Sequence, residues 1–274
     1  MLKAYTERWA LVTGASSGIG AEFARVLAGN GMHLVLTARR GDRLEELAEE
    51  LERQHMVQTF VVPADLSEPG AVEGLLGQVA DREITLELLV NNAGFGFVGE
   101  IAGTDIDAML SMVNLNISAL TELTYRVLPG LIEQGHGAIV NVASVVAMQP
   151  VAYMPVYSAT KAFVLHFSEA LWAEARDGGV TVMALCPGAT ETEFFGVAGV
   201  PGWLKKQRSQ TSRQVVKEAL RGLERRRSYV VTGFWNYLTS LAPRFVTRKT
   251  VVTQTLKFFR PRLGTAADPE ASDD

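Results

Sequence analysis

The chain has 274 residues, 47% hydrophobic and 20% charged, which suits one α/β domain with a well-buried core or two small ones. Its single cysteine, Cys186, excludes an intrachain disulfide framework and a cysteine-based zinc site; no apolar run reaches the ~18 residues of a membrane span, and the start lacks a signal-peptide core, so a cytoplasmic protein is expected. The net charge of −4 hides a split: residues 1–202 hold 11 basic and 24 acidic residues, residues 203–262 hold 15 and 2, and residues 263–274 hold 4 acidic and none basic.

Trp9-Ala-Leu-Val-Thr13 is a short β-prone run. It leads into Gly14-Ala-Ser-Ser-Gly18-Ile-Gly20 and then a helical pattern with Phe23, Val26 and Leu27. Strand, glycine turn and helix form the context of a dinucleotide-binding turn: glycines let the backbone approach a pyrophosphate, and the helix N-terminus favours its charge. His33 to Ala38 reads as a second strand, followed by Arg39 and Arg40. The end of this strand normally meets the adenosine ribose. An acid there would bind the 2′-hydroxyl, whereas two guanidinium groups suit a 2′-phosphate, so the pattern predicts NADP(H) over NAD(H).

Asp42 to Arg53 is an amphipathic helix, and Thr59 to Val62 a third strand ending in Pro63-Ala64-Asp65-Leu66. Asp65 there could accept from an adenine amino group or simply form a turn. A helix follows from Glu68 to Asp81, then a strand from Leu86 to Val90 that ends in Asn91-Asn92-Ala93-Gly94. Small residues at that end leave room for a ribose against bare backbone. A long helix is predicted over Thr104–Leu128, with Asn114 and Asn116 inside it. Asparagine is a mediocre helix former, so mid-helix asparagines suggest buried polar work or a solvent face.

Ala138 to Ser144 reads as a buried strand and Val156 to Arg176 as a helix. Tyr157 and Lys161 lie four apart on that helix and share a face, with Ser144 thirteen residues before the tyrosine. The hydroxyl can hold a carbonyl oxygen and the phenol can give or take a proton. A nearby ammonium favours the phenolate, so Lys161 is expected to draw Tyr157 down from about 10 towards working pH. Val180 to Leu185 is the next strand, ending in Cys186-Pro187-Gly188. Residues 189–211 read as a long irregular loop, of the kind that is usually functional. A helix over Val215–Arg227 and a strand over Tyr229–Thr232 complete the pattern. Repeated β-α units predict an α/β fold with one doubly wound parallel sheet and helices on both faces.

Thr13-Gly14-x-x-x-Gly18-Ile-Gly20, Asn91-Asn92-Ala93-Gly94, Ser144, Tyr157-x-x-x-Lys161 and Pro187-Gly188, in this order, resemble the short-chain dehydrogenase/reductase family over residues 7 to about 233. The resemblance implies a Rossmann-type sheet of about seven strands, a nicotinamide cofactor and a tetrad that maps to Asn116, Ser144, Tyr157 and Lys161. Asn116 is chosen over Asn114 for its interval to Pro129. The family's roles would have Tyr157 protonate an alkoxide, Ser144 hold the substrate oxygen, Lys161 bond the ribose, and Asn116 place a water for proton return. Cofactor contacts would come from Gly14, Ser16, Ser17, Gly18, Ile19, Gly20, Arg39, Arg40, Asp65, Leu66, Asn92, Ala93 and Gly94. Tyr157, Lys161, Pro187, Gly188 and Thr192 would cover the nicotinamide end. A metal is not expected. Homodimers or homotetramers are implied, with a small carbonyl or alcohol as substrate and no nucleic acid.

Substrate choice would lie in 94–100, 145–154 and 189–210, where Phe95, Phe97, Val145, Val146, Met148, Met154, Phe194, Phe195 and Trp203 suggest an apolar cleft. That favours a lipophilic ketone, an aldehyde or a 3-oxoacyl thioester. An NAD(H)-linked alcohol dehydrogenase is the alternative that Ala38-Arg39-Arg40 argues against. A cofactor-sensing regulator is the alternative that the intact Tyr157 and Lys161 argue against. Residues 1–233 are read as the catalytic domain, 234–262 as a basic amphipathic extension, and 263–274 as an acidic disordered tail. The extension would rest on an anionic membrane, a phosphate-bearing carrier or a neighbouring subunit.

Overall fold

Seven parallel strands alternate with helices along the chain, in the spatial order β3-β2-β1-β4-β5-β6-β7. The computed structural model describes residues 5–200, 202 and 208–264, of residues 261–264 the backbone alone. The strands are β1 (Trp9–Thr13), β2 (His33–Thr37), β3 (Thr59–Val61), β4 (Leu86–Asn91), β5 (Gly137–Val142), β6 (Val180–Cys186) and β7 (Tyr229–Val231). The intervening helices are α1 (Gly18–Ala28), α2 (Gly41–His55), α3 (Ala71–Asp81), α4 (Ile106–Val113), α5 (Leu120–Gln134) and α6 (Pro155–Ala175). After β6 come α7 (Phe194–Val197), α8 (Ser212–Glu224), α9 (Phe234–Leu241) and α10 (Arg248–Gly264).

Strands buried on both faces are apolar at most positions, which is why β1, β2, β4 and β5 read as near-continuous hydrophobic runs, with Glu87, Asn91 and Asn141 among the buried polar exceptions. Their side chains alternate between two cores. Ala10, Val12, Leu34, Leu36, Leu88 and Val90 face Phe23 of α1, Leu44 of α2 and Val215 of α8. Leu11, Val35, Leu89 and Ile139 face Val72 of α3, Leu123 of α5 and Ala175 of α6. The order reverses between β1 and β4, so the connections that follow their C-terminal ends lead apart and leave a crevice, where open α/β sheets hold ligands.

Three segments differ from expectation. In place of the long helix over Thr104–Leu128 stand α4, a π turn at Asn114–Ala119 and α5, preceded by a 3-10 turn at Ile101–Gly103. Asp105 caps α4, its carboxylate accepting from the Asp107 amide, which sets the later start. Pro129 does not end α5, which runs on to a left-handed Gly135. The loop after β6 is partly ordered: Thr190 and Gln210 bridge its two ends, and α7 stands at its middle. Finally, α10 runs through Gly264, two residues past the expected boundary of the tail. Trp203, Lys205, Lys206 and the acidic stretch from 265 lie outside the described residues.

Candidate active site

The ends of β1 and β4 are tied by Thr13, whose hydroxyl accepts from the Asn92 and Ala93 amides at 2.9 Å each. Asn92 answers by donating to the carbonyls of Thr13 at 2.9 Å and Gly14 at 3.2 Å. These bonds set the glycine turn against the Asn92-Ala93-Gly94 step. Gly14 and Gly18 take left-handed φ angles of 65° and 57°, where a Cβ is unfavourable. A Cβ at Gly20 would stand 2.3 Å from the Gly14 carbonyl oxygen, so only glycine lets α1 start this close under the turn. Gly20 therefore shapes the cleft from behind without lining it.

In front of the turn opens a cleft of about 490 Å³. It is lined by Gly14, Ser16, Ser17, Gly18 and Ile19 of the turn, by Arg39, Arg40, Asp65 and Leu66 beyond β2 and β3, and by Asn92, Ala93 and Gly94. Ser144, Tyr157, Lys161, Pro187, Gly188 and Thr192 complete its floor and far end. Backbone amides, hydroxyls and two arginines along a groove backed by glycines are what a dinucleotide requires, so the residues present fit a nicotinamide cofactor.

The two arginines are placed differently. Arg40 lies over the turn and donates to Ser16 Oγ at 3.2 and 3.1 Å. Arg39 is mostly exposed and sits 3.7 Å from Asp65 Oδ2. Asp65 uses its other oxygen to accept from the Ser67 amide and hydroxyl, so it acts as a turn former here. Glu193 of the loop after β6 joins the cluster, 2.8 Å from Arg40 and 2.6 Å from Arg43. Hydrogen bonds from Arg43 and Arg40 hold its carboxyl down at about 2. Neither Arg43 nor Glu193 was expected from sequence, because nothing local marks a pairing across this separation.

At the other end, Pro155 opens α6, and Tyr157, Lys161, Val164 and Ser168 follow along its buried face. Lys161 Nζ donates to the Val142 carbonyl at 2.7 Å and lies 5.8 Å from the Tyr157 ring centre. Burial brings its pKa down to about 8. Ser144 leaves β5 in extended backbone, accepts from the Val146 amide and donates to the Pro187 carbonyl. The expectation that Lys161 draws Tyr157 down is corrected: burial pushes the phenol up, and the opposing pull comes from a hydrogen bond with Ser144. Lys161 gives one N–H to the Val142 carbonyl, and the ring sits in an apolar cluster with Met154 and Phe194.

Asn116 is fully buried while Asn114 is exposed. It too sits behind the cleft wall. Its amide donates to the Phe95 carbonyl at 3.0 Å and Thr160 Oγ1 at 3.1 Å, and its oxygen accepts from the Phe95 amide at 3.2 Å. That side chain braces the Gly94-Phe95 step from inside the π turn, a distortion frequent at functional sites. A Cβ at Gly94 would stand 2.8 Å from Asn116 Oδ1 and 3.4 Å from Lys161 Nζ, so glycine is needed between them.

The substrate end is walled by Phe95, Val145, Val146, Met154, Phe194 and Phe195, with the Phe194 ring tilted against Tyr157 at 5.3 Å. Phe97 and Met148 do not reach it; they pack beside Gly99 and in the core behind Ser144. Phe258 and Phe259 do reach it. Val251 and Thr255 of α10 are buried, and Thr255 accepts from the Ala152 amide at 3.1 Å, which seats the helix against the cleft. A paired phenylalanine in a basic extension gave no sign of this, since only the tertiary fold returns α10 to the site.

The short chain dehydrogenase model matches residues 8–199. The chain belongs to the short-chain dehydrogenase/reductase family. Among its relatives, the very-long-chain 3-oxoacyl-CoA reductase of Rattus norvegicus is 32% identical over 252 residues, covering 89% of this chain and 78% of that protein. Sulfoacetaldehyde reductase 2 of Chromohalobacter salexigens is 41% identical over 186 residues, 67% of this chain and 73% of that one. A short-chain dehydrogenase from Sphingobium yanoikuyae in complex with NADPH superposes with a TM-score of 0.77 at 33% identity, covering 97% of this chain and 99% of that chain. Like its family, this short-chain dehydrogenase/reductase is a nicotinamide-dependent oxidoreductase acting on CH–OH and C=O groups. Among the described residues no group of three or more acidic, histidine or cysteine side chains could hold a metal ion, and no helix is long and apolar enough to cross a membrane.

Proposed function

We propose that this enzyme reduces lipophilic carbonyl compounds, a ketone, aldehyde or 3-oxoacyl thioester, with NADPH. The observation that carries the substrate class is the wall beyond Tyr157, built from Phe95, Val146, Met154, Phe194 and Phe195 and closed by Phe258 and Phe259. Arg40 over Ser16 supports a 2′-phosphate, because a guanidinium offers a planar fork of donors to an anion.

The cofactor, when bound, supplies hydride to the carbonyl carbon. Tyr157 gives its phenolic proton to the developing alkoxide. A phenol pushed up by burial is protonated at neutral pH, which suits the reductive direction. Ser144 donates to the same oxygen, placing two donors where negative charge grows. Lys161 already spends one N–H on Val142 and keeps two for a ribose hydroxyl and a water. Its ammonium then stabilises the phenolate left behind, and the proton returns through Lys161 and a water on the Asn116 carbonyl.

The test is NADPH oxidation with a panel of bulky ketones, long-chain aldehydes, 3-oxoacyl thioesters and small anionic aldehydes. Turnover should rise with apolar size and fall by at least ~10³-fold in Tyr157→Phe, with NADPH binding retained. Preference for the anionic aldehydes, or for NADH, would overturn the reading.

A further inference from the structure

More than half of the exposed large apolar side chains among the described residues fall between Phe234 and Phe258. Phe234, Trp235, Tyr237 and Leu238 stand out on α9, and Phe245 after the following turn is 84% exposed. The helix is nonetheless anchored. Asn236 donates to the Thr232 carbonyl at 2.8 Å and packs so tightly on Gly188 that a Cβ there would meet it at 2.2 Å. With Asn236 holding the inner side, the rings of α9 are left on the outer one.

The charge carried by α9, the turn after it and α10 has one sign. Along the segment that carries the rings, from Phe234 to Arg260, the sequence holds five basic residues and no acid. Within the described part, Arg244, Arg248, Lys249 and Lys257 interleave with the apolar side chains. A protein partner would have to offer both acids and apolar surface in register. An anionic bilayer offers diffuse negative charge above an apolar layer, and rings interleaved with Arg and Lys satisfy both at once. A second observation ties this surface to the cleft: Phe258 of α10 lines the substrate end and is also 43% exposed.

We infer that α9, the turn after it and the outer side of α10 form a docking surface for an anionic phospholipid membrane. The mouth at Phe258 then receives lipophilic substrate from the lipid. The delivery step rests on the proposed substrate class; the docking does not.

The experiment is flotation of the full chain with vesicles of phosphatidylcholine alone and of phosphatidylcholine with an equal part of phosphatidylglycerol, at low and high salt. The variants are Trp235→Ser with Phe245→Ser, and Arg244→Glu with Arg248→Glu, all at exposed positions. Binding should require phosphatidylglycerol, weaken at high salt, and fall at least ~10-fold in each double variant. NADPH-dependent reduction of a soluble carbonyl should stay unchanged in both, so a failed substrate reading would show there and not in flotation. Absent binding, equal binding to neutral vesicles, or unaltered binding by the variants would overturn the docking. So would a change of oligomeric mass by light scattering in the variants without vesicle binding, which would assign the surface to a second copy of the chain.

Discussion

Glu193 makes the arginine cluster a site of competition, and Glu193→Gln measures it. Its carboxylate sits 2.8 Å from Arg40 and 2.6 Å from Arg43. A 2′-phosphate that is to use Arg40 must take it from this carboxylate. The partners are partly exposed, 39% for Arg40 and 48% for Glu193, so solvent screens the pair and its worth is about 0.5–1 kcal/mol. Removing the charge should therefore tighten NADPH binding about two- to fivefold and leave NADH unchanged, since NADH has no phosphate to compete. The difference should shrink at high salt. Fluorescence titration of both cofactors against both proteins, at two salt concentrations, reads this directly. Weaker NADPH binding in the variant would refute the competition and make Glu193 a clasp over the bound cofactor. An equal shift for both cofactors would locate its effect in the loop after β6 and not in the phosphate site.

Two further outcomes follow from the buried groups. Lys161, brought down to about 8 from its ordinary 10.5, carries its charge below that pH and loses it as pH rises through it. The kcat/KM for reduction should accordingly fall above pH ~8, and the limb should vanish in Lys161→Met; a profile flat to the ordinary lysine range would refute this. Asn116→Ala removes bonds to the Phe95 amide and carbonyl and to Thr160, in a fully buried place. It should cost about 1–3 kcal/mol and lower the melting temperature by several degrees, whereas an unchanged melt would show that the brace is not needed.

What the sequence determined alone is the sheet and the order of its parts. Apolar runs buried on both faces can only be central strands, and a glycine turn between strand and helix can only sit at a strand's C-terminal end. Tyr157 and Lys161 share a face because helical geometry is local, and that too was legible. The tertiary structure alone decided which side chains spend their bonds on one another. Asn116 is consumed by Phe95, Arg40 is shared between Ser16 and Glu193, and Lys161 is held by Val142. It also brought Phe258 and Phe259 back to the cleft, from a segment whose charge pointed only outward. Such pairings join residues far apart in the chain, and their partners are fixed by packing that no local spacing records.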